Sequence, residues 1–279
     1  MMKAHAARRW MLVLGLAMVI AAAGPAAQQQ QTPPGQFQPT PGQPGKDVIW
    51  LPTAQTLVDK MLDLGKMTAQ DYVIDLGSGD GRTVITAAKR GAKAMGIEYN
   101  PDMVELSKRN AAAAGVADKA SFEKADLFET DLSKATLITM FLLPDINLKL
   151  RPKLLDLKPG TRIVSNSFMM GQWDPDDSVT VTEECTSYCT AYLWIVPAKV
   201  AGTWVWAEGD LTLTQDFQML RGIVKIGAEG VPISGARMNG AQISFIAGGA
   251  HYDGRVNGTT IEGTVRTGAT TAKWTATRK

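Results

Sequence analysis

Three carboxylates and a cluster of glycines carry the chemistry that can be read from this chain. Asp75 closes an apolar run and leads into Gly77-Ser78-Gly79-Asp80-Gly81, while Glu98 and Asp126 close the next two runs. Glycines let a backbone turn sharply and let a ligand approach it closely. A helix starting just after such a loop presents its N-terminus, which favours a negative group such as a carboxylate. Glu98, at the end of the second strand, suits a ribose, because one carboxylate can accept from both hydroxyls. These features also fit a dinucleotide site, or a structural turn with an unrelated acid nearby. Two details argue against a pyrophosphate. The spacing is G-x-G-x-G rather than G-x-G-x-x-G, and Asp75 would repel a pyrophosphate but suits an ammonium group. Asp126-Leu127 stands where an adenine amino group could be read, although a lone Asp there also serves as a helix cap.

Scarcity is equally informative. The 279 residues include 2 histidines, His5 and His251, and 2 cysteines, Cys185 and Cys189. A histidine triad, a multi-histidine metal site and a cysteine zinc site are therefore not expected, and no metal is assigned. No catalytic acid, base or nucleophile is assigned; Asp145 could act as a base, but a helix N-cap is its favoured reading. The formal charge of +2 gives no support for nucleic-acid binding.

The elements that must hold the acids alternate. Strands are expected at Tyr72 to Leu76, Ala94 to Ile97, Ser121 to Lys124, Leu137 to Leu142 and Arg162 to Ser167. Helices are expected at Arg82 to Lys89 and at Pro101 to Ala114, the second with proline in its first turn and Gly115 as its stop. Asn147 to Leu157 has leucines at helical spacing, with Lys149, Arg151 and Lys153 as its solvated face and Asp145 as its N-cap. This βαβα rhythm implies an α/β, mostly parallel, Rossmann-like sheet that binds ligands at the carboxyl ends of its strands. Val179 to Glu184 and Thr190 to Val196 add a C-terminal antiparallel hairpin, and Cys185 and Cys189 flank its turn, where a disulfide is the favoured reading if the geometry allows it and two free buried thiols are the alternative.

The run Asp75 to Gly81, then Glu98, then Asp126, resembles the S-adenosylmethionine site of class I methyltransferases. Leu51-Pro52-Thr53, Asp75 to Arg82, and Leu142-Leu143-Pro144 through Leu150 to Leu154 further resemble the ATP synthase c-subunit lysine methyltransferases and their bacterial relatives. The likeness covers about residues 47–199. It implies that Asp75, Gly77 and Gly79 hold the methionine part of S-adenosylmethionine, Glu98 the ribose, and Asp126 and Leu127 the adenine. Ser78, Asp80, Gly81, Tyr99 and Phe141 are counted with the same cofactor site. Trp50, Pro52, Thr53, Leu143 and Pro144 would form the substrate channel, with Leu51, Phe141, Phe168 and Trp173 as further candidates to line it; for Phe168 and Trp173 core packing is the competing reading. The segment Phe141-Leu142-Leu143-Pro144 lacks the Asn or Asp that begins the N/D-P-P-Y tetrapeptide of many amino-methylating enzymes, so amine specificity is an implication of the family alone.

Methyl transfer from a sulfonium needs positioning above all, and good orientation supplies about 7–11 kcal/mol of barrier reduction. An amine acceptor must first lose a proton, and burial lowers a lysine pKa by up to about 3–5 pH units. The expected function is thus S-adenosylmethionine-dependent N-methylation of a protein lysine or another amine. Two alternatives compete: a catalytically silent methyltransferase fold kept for binding or scaffolding, and a nicotinamide-linked oxidoreductase, which the loop spacing disfavours.

The flanks add two segments and a second domain. Lys3, Arg8 and Arg9 precede an apolar run of about 14 residues, short of the about 20 that a span needs, and small residues follow to Ala27. Residues 1–27 read as a signal peptide, and Arg8-Arg9 allows a twin-arginine type. An uncleaved anchor is the alternative; after cleavage no stable membrane span is expected, and the protein would be periplasmic or extracellular. The Gln-, Pro- and Gly-rich residues 28–46 read as a disordered tether. Residues 200–279 read as a small all-β meander or barrel of about six to eight strands, with Asn239-Gly240 and Asn257-Gly258 as hairpin turns inside a short repeat. His251 is expected on a strand surface.

Overall fold

The computed structural model describes residues 37–207, 209–226 and 229–279. The expected signal peptide, His5 and the first part of the expected tether lie outside the described residues. The described part of the expected tether, residues 37–46, is not disordered as expected but folded onto the chain that follows. Pro41 and Gly42 form a turn closed by the Gln43 N–H donating to the Thr40 carbonyl, Pro44 pairs with Ile49, and Gly42 and Gln43 exchange backbone hydrogen bonds with Trp50. This strap leads into α1 (Gln55–Leu64), whose Leu57, Val58, Met61 and Leu62 are buried.

The first sheet contains β1 (Tyr72–Leu76), β2 (Lys93–Glu98), β3 (Ala120–Lys124), β4 (Leu137–Met140), β5 (Arg162–Asn166), β6 (Asp177–Thr180) and β7 (Thr190–Ile195), in the order β3-β2-β1-β4-β5-β7-β6. The first five run parallel, and β7 lies antiparallel to both β5 and β6. Strands covered on both faces read as continuous apolar runs, and all four residues of β4 are buried. The helices α2 (Arg82–Lys89), α3 (Pro101–Ala113) and α4 (Pro144–Leu155) follow β1, β2 and β4. The chain leaves β1 for β2 on one side and later returns to β4 on the other. A crevice therefore opens at the carboxyl ends of β1 and β4, the switch point where α/β sheets bind ligands.

Local chemistry fixes the ends of these helices. Gly81 precedes α2 with φ +83, and a Cβ there would lie 2.8 Å from Phe122. Asn100 caps α3 by accepting from the Asp102 N–H at 2.9 Å, with Pro101 in the first turn. The expectation that Asp145 caps α4 is corrected. The cap position belongs to Leu143, Pro144 takes the first turn, and Asp145 is an acid within that turn, where it faces the positive end of the helix dipole. The cations of α4 are not a free solvated face either. Lys149 Nζ lies 3.9 Å from the Phe128 ring centroid, Lys153 Nζ donates to the Phe128 carbonyl at 2.6 Å, and Arg151 Nη1 donates to the Met170 carbonyl at 2.8 Å.

The second sheet contains β8 (Gly202–Trp206), β9 (Gly209–Asp216), β10 (Met219–Ile226), β11 (Glu229–Pro232), β12 (Ser234–Asn239), β13 (Gln242–Ala247), β14 (Ala250–Asn257), β15 (Thr260–Thr267) and β16 (Thr270–Arg278). Its pairing returns from β9 to β10, so eight strands close an antiparallel barrel and β11 is appended to β10. Nine strands form among the described residues, one more than the upper expectation. Closure removes exposed edges. The interior is filled by aromatic packing, with Phe245 stacked on Tyr252 at 4.7 Å and Trp274 edge-on to both. The repeat turns fall one residue later than expected. Asn239 pairs with Gln242 and Asn257 with Thr260, so the turns are Gly240-Ala241 and Gly258-Thr259, with the glycines at φ +58 and +59. His251 is exposed on β14.

The barrel docks on the first sheet through named contacts. Arg237 pairs with Asp176 at 2.7 Å, Gln218 Nε2 donates to the Asp174 carbonyl at 2.8 Å, and the Phe217 ring stacks on Trp173 at 5.9 Å. Burial raises the Asp176 carboxyl above its ordinary range, against the lowering pull of the Ile195 N–H and Arg237.

Candidate active site

The carboxyl ends of β1 to β4 and the N-terminal strap enclose one pocket. Asp75, Gly77, Ser78, Gly79, Asp80, Glu98, Tyr99, Asp126, Leu127 and Phe141 all line it, as do Trp50, Leu51, Pro52, Thr53, Leu143 and Phe168.

Asp75 ends up buried because β1 pairs on both sides, with Gly96 of β2 and Thr139 of β4 directly opposite it. The Thr139 hydroxyl donates to Asp75 Oδ1 at 2.6 Å. Burial pushes the Asp75 carboxyl up to about 7, with the Asp80 and Glu98 charges adding to the rise and the Thr139 bond opposing it. A carboxylate held this way is electrostatically unsatisfied until a cation arrives.

The glycine loop folds back on β2. The Gly77 and Ser78 N–H groups donate to the Ile97 carbonyl at 2.9 and 3.0 Å, and the Ser107 hydroxyl donates to the Gly79 carbonyl at 2.8 Å. Gly79 has φ +55, and a Cβ there would lie 2.6 Å from Trp50 Nε1. The Ser78 hydroxyl is buried without a hydrogen-bond partner, in space that the missing Cβ of Gly96 leaves free. Glu98 is fixed by two backbone donors, Gly79 N–H at 3.0 Å to Oε2 and Asn100 N–H at 3.0 Å to Oε1. Asp126 accepts from the Phe128 N–H at 2.9 Å and from Lys46 Nζ at 2.7 Å. The Lys46 ammonium holds the Asp126 carboxyl below the usual range and also lies 4.4 Å from the Tyr99 ring centroid.

Two members of the expected set do structural work. The Asp80 carboxylate is taken up by Arg82, at 2.6 Å to Nη2, and Arg82 in turn donates to the Thr53 carbonyl at 2.7 Å, tying loop to strap. Gly81 is absent from the pocket wall and serves the turn into α2. Two channel candidates are corrected. Pro144 is exposed at the start of α4 and does not line the pocket; Ile146, two residues on, does. Trp173 is fully buried, packed between Trp194 and Phe217 at the joint with the barrel, so core packing is its role. Cys185 and Cys189 are disulfide-bonded.

Sequence reasoning missed Lys46, Arg82, Met103, Met140, Ile146 and Tyr188, which all line the pocket. Only Arg82 had a local signal, since it follows the loop directly. The pocket divides by chemistry. Its β1–β2–β3 side carries the acids and the glycine loop. Its β4–β5–β7 side carries Phe141, Phe168 and Tyr188, whose ring centroids lie 5.3 to 6.1 Å apart.

The profile of the ANTKMT methyltransferase domain matches residues 75–177. A protein-lysine N-methyltransferase of Saccharolobus islandicus is 41% identical over 152 residues, covering 53% of this chain and 94% of that protein. The mouse ATP synthase c-subunit lysine N-methyltransferase is 39% identical over 105 residues, which is 37% of this chain and 42% of the mouse protein. The chain thus spans nearly all of the archaeal relative and less than half of the mouse one. An RNA methyltransferase from Salinibacter ruber, solved with S-adenosyl-L-homocysteine, is 46% identical with a TM-score of 0.51, covering 54% of this chain and 96% of that one. The residues matched by the family profile run from the end of β1 to the start of β6 and include none of the barrel strands.

Proposed function

This chain belongs to the family of S-adenosylmethionine-dependent methyltransferases that includes the Saccharolobus enzyme, and from that premise we propose that its acceptor is a primary amine, foremost the side chain of a protein lysine. The observation that carries the proposal is the split pocket: acids at the ends of β1, β2 and β3 face an apolar, aromatic wall at β4, β5 and β7.

The residues present fit S-adenosylmethionine. Asp75 offers a buried carboxylate to an ammonium, Glu98 a prefixed carboxylate to paired hydroxyls, and the loop around Gly79 a backbone surface that a side chain would obstruct. When bound, S-adenosylmethionine supplies a sulfonium methyl group and keeps the C–S bonding electrons as that bond breaks. The amine lone pair forms the new N–C bond, and the resulting ammonium releases one proton to water. This chain's part is to desolvate and aim the amine. An apolar wall favours the neutral amine over the ammonium, and orientation does the rest. No general base is needed within the wall.

The relatives differ in the acceptors they are named for, one being an RNA methyltransferase and the others lysine methyltransferases. Removal of residues 1–27 takes Lys3, Arg8 and Arg9 and no acid from the formal charge of +2, leaving −1, a charge that does not suit a polyanionic acceptor and so favours the amine. The test is methyl incorporation from labelled S-adenosylmethionine into lysine-bearing peptides and into RNA. Label on the lysine Nε atom supports the proposal; label on RNA alone overturns it.

We further propose that the enzyme works outside the cytoplasm. The n-region cations and apolar run of residues 1–27 support this, as does the disulfide, which persists in oxidising compartments. Fractionation with mass measurement of the recovered protein tests it: a full-length cytoplasmic protein with free thiols would refute export. No helix among the described residues is long and apolar enough to cross a membrane.

A further inference from the structure

The turn between β6 and β7, which brings Tyr188 to the pocket wall, is crosslinked. Cys185 and Cys189 close it covalently, and the Val181 N–H donates to the Cys189 carbonyl at 2.9 Å to seal its base. Inside it Glu184 and Tyr188 both take left-handed backbone conformations, at φ +53 and +57, which non-glycine residues rarely adopt. Such conformations persist only where the surroundings over-determine them, and they gather at functional sites. Tyr188 immediately precedes the crosslinked Cys189, so the closed ring fixes its backbone.

The result is a tyrosine set against the pocket mouth. Its ring centroid lies 5.3 Å from Phe141 and 5.9 Å from Phe168, yet the residue remains 45% exposed. Phe141 follows β4 and Phe168 follows β5, so three separate elements each give one ring to a single wall. The far side of the pocket holds Asp75, Glu98 and Asp126. The loop is also held to the start of α1, where the Thr56 hydroxyl donates to the Glu183 carbonyl at 3.3 Å, next to the Thr53 wall.

We propose that Phe141, Phe168 and Tyr188 form the acceptor subsite, that it receives an unbranched alkyl chain ending in an amine, and that the Cys185–Cys189 ring is the positioning device that holds Tyr188 in it. This deepens the amine-methylation reading and rests on it. The exposed Tyr188 ring attracts the ammonium as it enters, and the half-buried Phe141 and Phe168 then strip water from the alkyl stem and favour the neutral amine that reacts. The disulfide spares the enzyme from ordering Tyr188 when the acceptor binds, which is how preorganisation raises affinity. Reduction should free the loop and weaken acceptor capture without touching the cofactor side.

The experiment uses the whole protein with S-adenosylhomocysteine and n-butylamine as the acceptor probe. Calorimetry reads the first ligand and saturation-transfer NMR the second, for wild type, reduced wild type, Tyr188→Ala, Tyr188→Phe and the double variant Cys185→Ser, Cys189→Ser. We expect S-adenosylhomocysteine affinity to be unchanged throughout. Probe affinity should fall roughly three- to thirtyfold in Tyr188→Ala, fall by a smaller factor on reduction and in the double variant, and be kept in Tyr188→Phe. Probe binding in Tyr188→Ala equal to wild type would overturn the subsite. Equal binding after reduction would overturn the positioning role of the disulfide. Wild type that binds S-adenosylhomocysteine but not the probe would refute the subsite while leaving the methyltransferase fold's cofactor site intact. Wild type that binds neither would refute the cofactor site, and the subsite with it.

Discussion

Replacing Asp75 by asparagine separates what the fold needs from what the site needs. The carboxyl is buried and its pKa is raised from 3.8 to about 7, chiefly by desolvation. A folded-state pKa above the unfolded value means that the folded protein holds the proton more tightly. The cost of ionising Asp75 is therefore absent below about pH 4 and grows as pH rises toward 7. For one group moved from 3.8 to about 7, linkage gives a folding penalty on the order of 4 kcal/mol at pH 7 and about 2 kcal/mol at pH 5. The amide oxygen of the introduced asparagine could still accept from Thr139, which now donates to Asp75 at 2.6 Å, but its N–H₂ group would need partners, at a cost of about 1–3 kcal/mol at every pH. The diagnostic quantity is thus the slope. In urea denaturation of the ligand-free protein, the wild-type minus Asp75→Asn stability difference should shift by about 2 kcal/mol against wild type between pH 5 and pH 7. The same carboxylate is the proposed partner of the S-adenosylmethionine ammonium. Wild-type affinity should then fall about tenfold per pH unit below about 7, whereas Asp75→Asn should bind weakly at all pH values. A stability difference that stays constant with pH, together with pH-independent binding in wild type, would refute the assignment.

Other perturbations test other parts of the structure. Glu98→Ala removes a carboxylate fixed by the Gly79 and Asn100 N–H groups and should weaken S-adenosylmethionine binding by about 1.5–3 kcal/mol in calorimetry. Gly79→Ala must strain a φ of +55 and press on Trp50 Nε1, which lies 2.6 Å from the new Cβ; a loss of at least about tenfold in cofactor affinity is expected, and wild-type affinity would contradict the close-approach argument. Asp71 is buried, which alone would raise its pKa, but hydrogen bonds from Thr136, the Thr68 N–H and Arg162 outweigh that and hold it below 3.8. Its stabilising effect is present above the unfolded pKa and lost as pH falls through the lower folded value. Asp71→Asn should therefore cost about 3 kcal/mol at pH 7 and less in strong acid, measured by urea denaturation.

The legible parts of this molecule are the local ones. Tyr72 to Leu76 announces a buried strand by composition, and Asp75, Glu98 and Asp126 fall into one pocket because each sits at the end of a parallel strand. The disulfide was legible for the same reason, since its cysteines flank one turn. What depends on distant closure was not. Lys46 reaches Asp126 across 80 residues of sequence, from a segment whose Gln, Pro and Gly content suggests no order. Tyr188 enters the pocket because the sheet order sets β7 beside β5. Pro144 and Trp173 show the opposite error: closeness in sequence to a motif does not say which way a helix face turns, or that an indole fills the joint with a barrel. The nine strands of the second sheet blur in sequence because glycine and threonine populate its strands and turns alike.

The central claim is that the acids at the ends of β1, β2 and β3 make a binding site for S-adenosylmethionine. Calorimetric titration of the purified protein with S-adenosylmethionine, and in parallel with NAD, tests it most directly. One site that saturates with S-adenosylmethionine and is weakened by Glu98→Ala, with no heat from NAD, is the expected result. No binding of S-adenosylmethionine at millimolar concentration, or saturation by NAD instead, would contradict the account.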